Sequence, residues 1–230
     1  MRASVGRQLW WRSHGRRDEV DFWAAWLETK GARWPDDFAR RVAPDPLIED
    51  PLVTAWLDGL EQQDVRIIDV GAGPLTKLGV RYPGKNVTVV PVDPLAVEYD
   101  KLLKRYGIVP AVPTVEAHGE QLLRHFRPGS FDVAYAVNSL DHSYDPVRII
   151  VNMVAVVRSD GAVLLRHAQN EGEQQRYCGL HQWNFDADGG DLIVWNHAVR
   201  RCLSAELEPG ARVEAWVDRD EVLVRVRPAR

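Results

Sequence analysis

The sequence contains little cysteine and no long apolar run, and each shortage excludes a class of protein. Its two cysteines, Cys178 and Cys202, form neither a C-x-x-C pair nor a metal-type cluster, so free thiols in a reducing, cytoplasmic location are expected. No stretch approaches the roughly 18 apolar residues of a membrane-spanning helix. The first residues also lack the apolar core of a signal peptide. We therefore expect neither a membrane span nor an export signal.

The sequence also lacks an excess of positive charge. Its 29 basic and 33 acidic residues give a net charge of −4, which creates no overall field for a polyanion. Five arginines and two adjacent tryptophans fall within residues 1–17. A tail or cap packed on the domain is favoured there over a membrane surface or RNA contact. We expect a small-molecule partner and no nucleic acid.

A composition of 45% hydrophobic and 27% charged residues is that of an ordinary globular chain. Asp18 is expected to cap a helix that ends at Gly31, and further helices are expected at 36–42 and 51–60. These segments predict a helical N-terminal cap over residues 1–60. The remaining residues, 61–230, are expected to form the main domain.

From residue 65 onward, short β-branched runs alternate with helical patterns, which is typical of a doubly wound α/β fold with a mostly parallel sheet. Helices are predicted at 95–106 and 146–157. Two alternating stretches, 213–217 and 222–226, flank a turn and predict a closing antiparallel hairpin. Five strands are predicted before it, at 65–70, 87–92, 114–116, 131–137 and 162–167.

The segment VRIIDVGAGPLT, residues 65–76, carries the clearest ligand signal. An apolar strand runs into Asp69 and then into a turn through Gly71 and Gly73, where backbone can approach a ligand closely. A second strand ends 24 residues later in Asp93, whose carboxylate can accept from both ribose hydroxyls. Together they predict a nucleoside site. A nicotinamide dinucleotide would call for a third glycine where Thr76 stands.

Residues 69–73, followed by Asp93, resemble the cofactor site of the class I S-adenosylmethionine-dependent methyltransferases. HGEQL at 118–122 and FDVAYAVNSLDHSYDP at 131–146 extend the resemblance, which covers about residues 60–168. It implies a seven-stranded Rossmann-like sheet whose reversed seventh strand is the terminal hairpin. One departure is Leu75, which stands where the family usually has a third glycine.

The resemblance also implies roles for individual residues around S-adenosylmethionine. Asp69 would lie near the ammonium group, Gly71 and Gly73 under the methionine part, and Asp93 at the ribose. The remaining implied contacts are Glu120 with the adenine amino group, the Gln121 backbone amide with the adenine ring, and Asn138 with the methionine end. Helix capping is the alternative for Asp93 and Glu120.

The sequence gives weaker signals for the residues that would bind and activate the methyl acceptor. Asp141 and His142 follow Asn138 and are the candidate acid–base pair, with His142 as the base. A loop histidine hydrogen-bonded to a neighbour is an equally open interpretation. The polar segment 166–186 predicts a substrate lid. Its candidate acceptor-binding residues are His167, Asn170, His181 and Trp183.

Metal binding is a further alternative, because Asp141, His142, His167 and His181 are residue types that bind divalent metals in related sugar O-methyltransferases. No two of them have a helical spacing that would define a site, so no metal ligand is predicted. Trp23, Trp26 and Trp34 belong to the helical cap, where core packing is favoured over a role in the acceptor pocket. The exposed tryptophans of the cap leave a homodimer possible.

The resulting hypothesis is methyl transfer from S-adenosylmethionine to a hydroxyl of a small molecule, sugar or glycan by in-line displacement. An amine acceptor is the second hypothesis. A nicotinamide-dependent oxidoreductase and a non-catalytic nucleoside-binding partner subunit complete the alternatives.

Overall fold

A seven-stranded sheet forms the centre of the protein in a computed structural model that describes residues 15–229. The strand order is β3-β2-β1-β4-β5-β10-β9. Strands β1 to β5 pair in parallel, whereas β10 runs antiparallel to both β5 and β9. The α/β class, the mostly parallel sheet and the terminal hairpin are confirmed. The bounds are Asp64–Val70 (β1), Asn86–Asp93 (β2), Val115–Glu116 (β3), Phe131–Val137 (β4), Val157–Ala168 (β5), Arg212–Asp218 (β9) and Glu221–Arg227 (β10).

Six α-helices accompany the sheet in the described part of the chain, and local signals start or stop several of them. The Asp50 carboxylate accepts from the backbone amides of Leu52 and Val53 at the start of α3, and Asp145 caps α5 in the same way. Asp18 lies in the first turn of α1 and is not its cap. The helices are α1 (Arg16–Glu28), α2 (Pro35–Arg41), α3 (Pro51–Asp58), α4 (Ala96–Tyr106), α5 (Pro146–Val156) and α6 (Glu171–Gln174).

The connection from β1 to β2, residues 71–85, contains no helix. Parallel strands usually cross over through one, and α3 takes its place in the core. Leu52, Val53 and Leu57 of α3 pack in one cluster with Ile67 of β1 and Val133 of β4. Because no helix follows the glycine turn after β1, α1 can pack against this turn.

Helix α1 packs over the same end of the sheet. Its buried Trp26 and Leu27 join Leu95, Tyr99 and Leu103, from α4 and the turn before it, in a separate cluster. The predicted helical cap thus has observed counterparts in α1, α2 and α3. The arginine- and tryptophan-rich residues 1–14 lie outside the described residues, and the domain boundary at residue 60 stays a prediction.

A second sheet follows β5 and was not predicted. Strands β6 (Asn184–Asp188), β7 (Asp191–Trp195) and β8 (Arg200–Cys202) form an antiparallel layer. Gly189 and Gly190, with φ of 59° and 84°, make the β6–β7 turn; such a Gly-Gly pair between apolar runs is the hairpin signal that could have revealed it. The predicted loop 166–186 is therefore shorter than expected, because its two ends belong to β5 and β6 and residues 171–174 form α6; its role as a substrate lid stays a prediction.

The protein has no helix, within residues 15–229, that is long and apolar enough to cross a membrane.

Candidate active site

A cavity of about 780 Å³ opens at the carboxyl ends of β1, β2 and β4, between the sheet and helix α1. This is the edge at which ligands of open α/β sheets bind. The glycine turn, Asp93 and Glu120 line one part of the wall, and His142, His181 and Glu171 line another. Residues separated by more than 100 positions thus face one space.

The turn after β1 has the conformation that its glycines allow. Gly71 and Gly73 have φ of 74° and 67°, values that side chains disfavour. Asp69 at the end of β1 is buried, and its Oδ2 accepts from Thr76 Oγ1 at 2.6 Å. Burial raises the pKa of Asp69 to about 6, against the opposing effect of the Thr76 hydrogen bond. Thr76 therefore organises the turn in place of a third glycine.

Asp93 combines the predicted position at the cavity with the alternative capping role. Its Oδ2 accepts from the Gly73 backbone amide at 3.2 Å, and its Oδ1 accepts from that of Leu95 at 2.9 Å. Burial raises the pKa of Asp93 to about 7. The carboxylate thus joins the glycine turn to the start of α4.

Glu120 and Asn138 also line the cavity. Glu120 Oε1 accepts from the Tyr144 backbone amide at 3.3 Å, and burial raises the pKa of Glu120 to about 7. Asn138, in the left-handed region with φ of 41°, accepts from the Ala168 amide at 2.8 Å. The Gln121 backbone amide donates to the His118 carbonyl at 2.9 Å and lies off the cavity wall. Its predicted contact with adenine does not fit this arrangement.

His142 lies between two carboxylates. Its Nδ1 is 3.1 Å from Glu19 Oε2, and its Nε2 is 3.4 Å from Asp141 Oδ2. Burial opposes protonation, but the carboxylates of Asp141 and Glu19 outweigh it and raise the pKa of His142 to about 10. The raised pKa favours the protonated ring, whereas a general base needs the neutral one, so the role of His142 as the base stays a prediction. The sequence could not reveal this, because Glu19 comes from α1.

Of the four predicted acceptor residues, only His181 lines the cavity. His167 is 2% exposed and stacks on Phe185 with ring centroids 4.4 Å apart; burial lowers its pKa to about 4. Asn170 accepts from Trp195 Nε1 at 3.1 Å. Trp183 is buried and donates from Nε1 to the Ser143 carbonyl at 2.9 Å. These three residues build the layer behind the cavity, so their predicted role is corrected.

The cap supplies two charged cavity residues that the sequence analysis did not single out, Glu19 and Arg41. Trp23 Nε1 donates to Glu19 Oε1 at 2.8 Å, and Trp23 makes edge contacts with Trp26 and Tyr99. The Arg41 guanidinium lies 5.4 Å from the Trp23 ring centroid. Glu19 and Trp23 are four positions apart on α1, so their shared helix face was the available signal. Trp23, Trp26 and Trp34 all line the cavity. The expected packing holds for Trp23 and Trp26, whose rings meet edge to face, whereas Trp34 is 54% exposed.

Lys77 is another missed residue. It follows the glycine turn and lines the cavity beside Asp69 and Arg41. Burial, together with the positive charge of Arg41, lowers the pKa of Lys77. Within residues 15–229, no ion pair to its ammonium group is found. An anionic ligand group is the partner that this position suits.

Comparison with known proteins relates the central part of the chain to methyltransferases. A family model described as a methyltransferase domain matches residues 68–165. A ubiquinone biosynthesis O-methyltransferase of Paracidovorax citrulli (strain AAC00-1) is 30% identical over 122 residues, which are 51% of this chain and 50% of that protein. The chain therefore spans about half the length of the curated relative it matches.

Two solved structures share the fold. A S-adenosylmethionine-dependent methyltransferase from Clostridium acetobutylicum has a TM-score of 0.50 at 10% identity, covering 90% of this chain and 98% of that one. The complex between the Haloferax volcanii Trm112 methyltransferase activator and a methyltransferase gives a TM-score of 0.54 at 13% identity, with coverages of 93% and 97%. At these identities the likeness shows the fold alone.

The sheet order and the glycine turn are those of the class I S-adenosylmethionine-dependent methyltransferase fold, and residues 68–165 match the methyltransferase-domain model.

Proposed function

We propose that the protein transfers the methyl group of S-adenosylmethionine to a hydroxyl of a small molecule or sugar. The observation that carries the proposal is the shared cavity, in which the cofactor turn and a polar cluster with an aromatic wall face each other. Methyl transfer is an in-line displacement in which the C–S bond of the cofactor breaks as the C–O bond forms, so its requirements are alignment, exclusion of water and an acceptor for the hydroxyl proton. In this proposal the cluster of Asp141, His142 and His181 accepts that proton. The O-methyltransferase relative supports a hydroxyl acceptor.

In this proposal, residues 61–230 hold the cofactor, and α1 and α2 of the cap cover it. Gly71 and Gly73, which both line the cavity, lie under the methionine part, as the resemblance of the turn implies. Asp93 accepts from the ribose hydroxyls, and Glu120 accepts from the adenine amino group. Lys77 binds the methionine carboxylate, and Asp69 and Asn138 complete the methionine end.

The acceptor lies between the tryptophans of the cap and the cluster of Asp141, His142 and His181. Trp23 and Trp34 offer apolar surface to a flat ring, while His142 and His181 offer polar contacts to the reacting hydroxyl. An amine acceptor is the second candidate. Three carboxylates, Glu19, Asp141 and Glu171, surround two imidazoles, and this surplus of negative charge favours a cation.

The structure argues against the dinucleotide alternative. A pyrophosphate binds at the N-terminus of the helix that follows the first strand, and residues 71–85 contain no helix. The net charge of −4 also offers no overall attraction to RNA. The homodimer, the absence of a nucleic-acid partner and the cytoplasmic location stay predictions.

The test is calorimetric titration with S-adenosylmethionine, its demethylated product and NAD, followed by methyl transfer to matched phenol, sugar and amine acceptors. We expect micromolar binding of the first two ligands, none of NAD, and loss of binding in Asp93→Ala. The variant Asp100→Ala on the outer side of α4 is the matched control and should bind as the wild type does. Cofactor binding without transfer to any acceptor would support the non-catalytic alternative. Transfer to amines but not to hydroxyls would overturn the acceptor assignment.

A further inference from the structure

Three side-chain atoms converge beside the cavity at distances that suit a shared ion. His142 Nε2 is 3.3 Å from His181 Nδ1, and His181 Nδ1 is 2.8 Å from Asp141 Oδ2. The third edge, from His142 Nε2 to Asp141 Oδ2, measures 3.4 Å. Ligands bound to zinc at about 2.0–2.2 Å lie about 3 to 3.5 Å from one another. The triangle is therefore close to one face of a metal coordination shell.

A second carboxylate orients one of these rings. Glu19 Oε2 lies 3.1 Å from His142 Nδ1, and Trp23 Nε1 fixes the other oxygen of Glu19. When an ion displaces the Nε2 proton of His142, a carboxylate that accepts from Nδ1–H leaves the Nε2 lone pair directed toward the other two ligand atoms. Histidines that bind metals almost always have such a partner.

Two observations distinguish this cluster from an ordinary hydrogen-bond network. Asp141 is 2% exposed, yet its Oδ1 has no hydrogen-bond partner among the described residues, although buried carboxylate oxygens normally have one. Glu171 Oε1 lies 3.7 Å from His181 Nδ1 and is within reach as a fourth ligand. His142, His181 and Glu171 also line the cavity, so an ion there would face the acceptor.

We propose that Asp141, His142 and His181, assisted by Glu171, bind a divalent transition-metal ion, with Glu19 as the positioning residue of His142. Two imidazoles and carboxylates suit zinc, manganese, iron or nickel. The site lies on the cavity wall, so the ion offers a coordination position to an acceptor oxygen. That second role rests on the proposed function, whereas metal binding itself does not.

The test uses untagged full-length protein, stripped with a chelator and titrated calorimetrically with ZnCl₂ and, separately, MnCl₂, without cofactor or acceptor. We expect one ion per chain at micromolar affinity or tighter for at least one metal. His181→Ala should weaken binding at least tenfold, and Glu19→Gln should weaken it about tenfold, as the loss of a supporting carboxylate does. His125→Ala, an exposed histidine outside the cluster, is the matched control and should bind as the wild type does.

A spectroscopic measurement on the wild type tests the site even if a variant misfolds. The absorption spectrum of the Co²⁺-loaded protein should show the bands of a nitrogen- and oxygen-ligated site and not those of the aqua ion. Absence of saturable binding of both ions by the wild type would overturn the proposal, as would equal affinities of the wild type and a folded His181→Ala. S-adenosylmethionine titrations of the same samples separate the two proposals. Metal binding without methyl transfer would support this metal site and contradict the proposed function. Methyl transfer without metal binding would support the proposed function and contradict the metal site.

Discussion

Gly73 of the cofactor turn lies directly against the ring of Trp23 from α1. A Cβ atom on Gly73 would lie 2.8 Å from Cζ2 of Trp23, closer than packed carbon atoms approach. The backbone φ of Gly73 is 67°. Helix α1 therefore fits against the turn because Gly73 has no side chain and can adopt this left-handed backbone conformation.

Gly73→Ala should combine backbone strain with crowding of Trp23. We expect a loss of about 2–4 kcal/mol in unfolding free energy, because left-handed backbone costs about 1–2 kcal/mol for a side chain and overpacking about as much again. Urea denaturation measures the loss in unfolding free energy, and cofactor titration measures any change in S-adenosylmethionine binding. Gly129→Ala is the control: its φ is 66° and no atom lies within 4 Å of the added carbon. Equal losses in the two variants would show that Trp23 does not constrain the turn.

Lys77→Met should weaken S-adenosylmethionine binding about tenfold or more, since a hydrogen bond to a charged group contributes about 1.5–3 kcal/mol. Methylthioadenosine, which lacks the amino-acid part of the cofactor, should bind the variant and the wild type equally. Calorimetry with both ligands makes the comparison, with the exposed Lys101→Met as control. A loss that is equal for both ligands would place Lys77 away from the methionine carboxylate.

Cofactor affinity should depend on pH through Asp93. Burial raises its pKa to about 7 in the ligand-free protein, and ribose hydroxyls donate to the ionised form, so binding lowers that pKa. The affinity should therefore fall as the pH drops below about 7, by up to tenfold per pH unit, and level off above about 8. Titrations from pH 5.5 to 8.5 measure this slope.

Asp93→Asn is the variant that checks the assignment to Asp93. It should bind more weakly at pH 8 and show a flatter pH profile, with any remaining slope due to Glu120, whose pKa is also about 7. Equal slopes in the variant and the wild type would assign the pH dependence to other groups.

Trp183→Phe should lower stability without changing acceptor binding. The substitution removes the hydrogen bond to the Ser143 carbonyl and leaves a space in the core, which together cost about 2–4 kcal/mol. Denaturant midpoints measure the loss, and Trp216→Phe on β9, at 37% exposure, is the control with little expected effect. A folded variant with unchanged stability and a raised KM for the acceptor would restore Trp183 to the acceptor site.

Local patterns predicted most elements of the main sheet because each pattern reflects nearby residues. The strand expected at 131–137 is Phe131–Val137, and the helix expected at 146–157 is Pro146–Val156 with its Asp145 cap. The strand expected at 162–167 begins at Val157, five residues earlier than predicted. The added residues are partly polar, and the strand begins early because Val157 pairs with Phe131 of β4. Pairing with a distant strand cannot be predicted from a local sequence pattern.

The sequence by itself determined the class of fold and the cofactor turn, since hydrophobic periodicity, caps and the backbone freedom of Gly71 and Gly73 are short-range properties. Only the tertiary structure decided the chemistry of the acceptor side. Glu19 and His142 are 123 positions apart, and their charges interact because α1 packs across the carboxyl end of the sheet. His167 of β5 is buried against Phe185 of β6, whereas His181 lines the cavity, a difference that the sequence does not show. Burial and long-range electrostatics depend on which elements meet, and the fold alone establishes that.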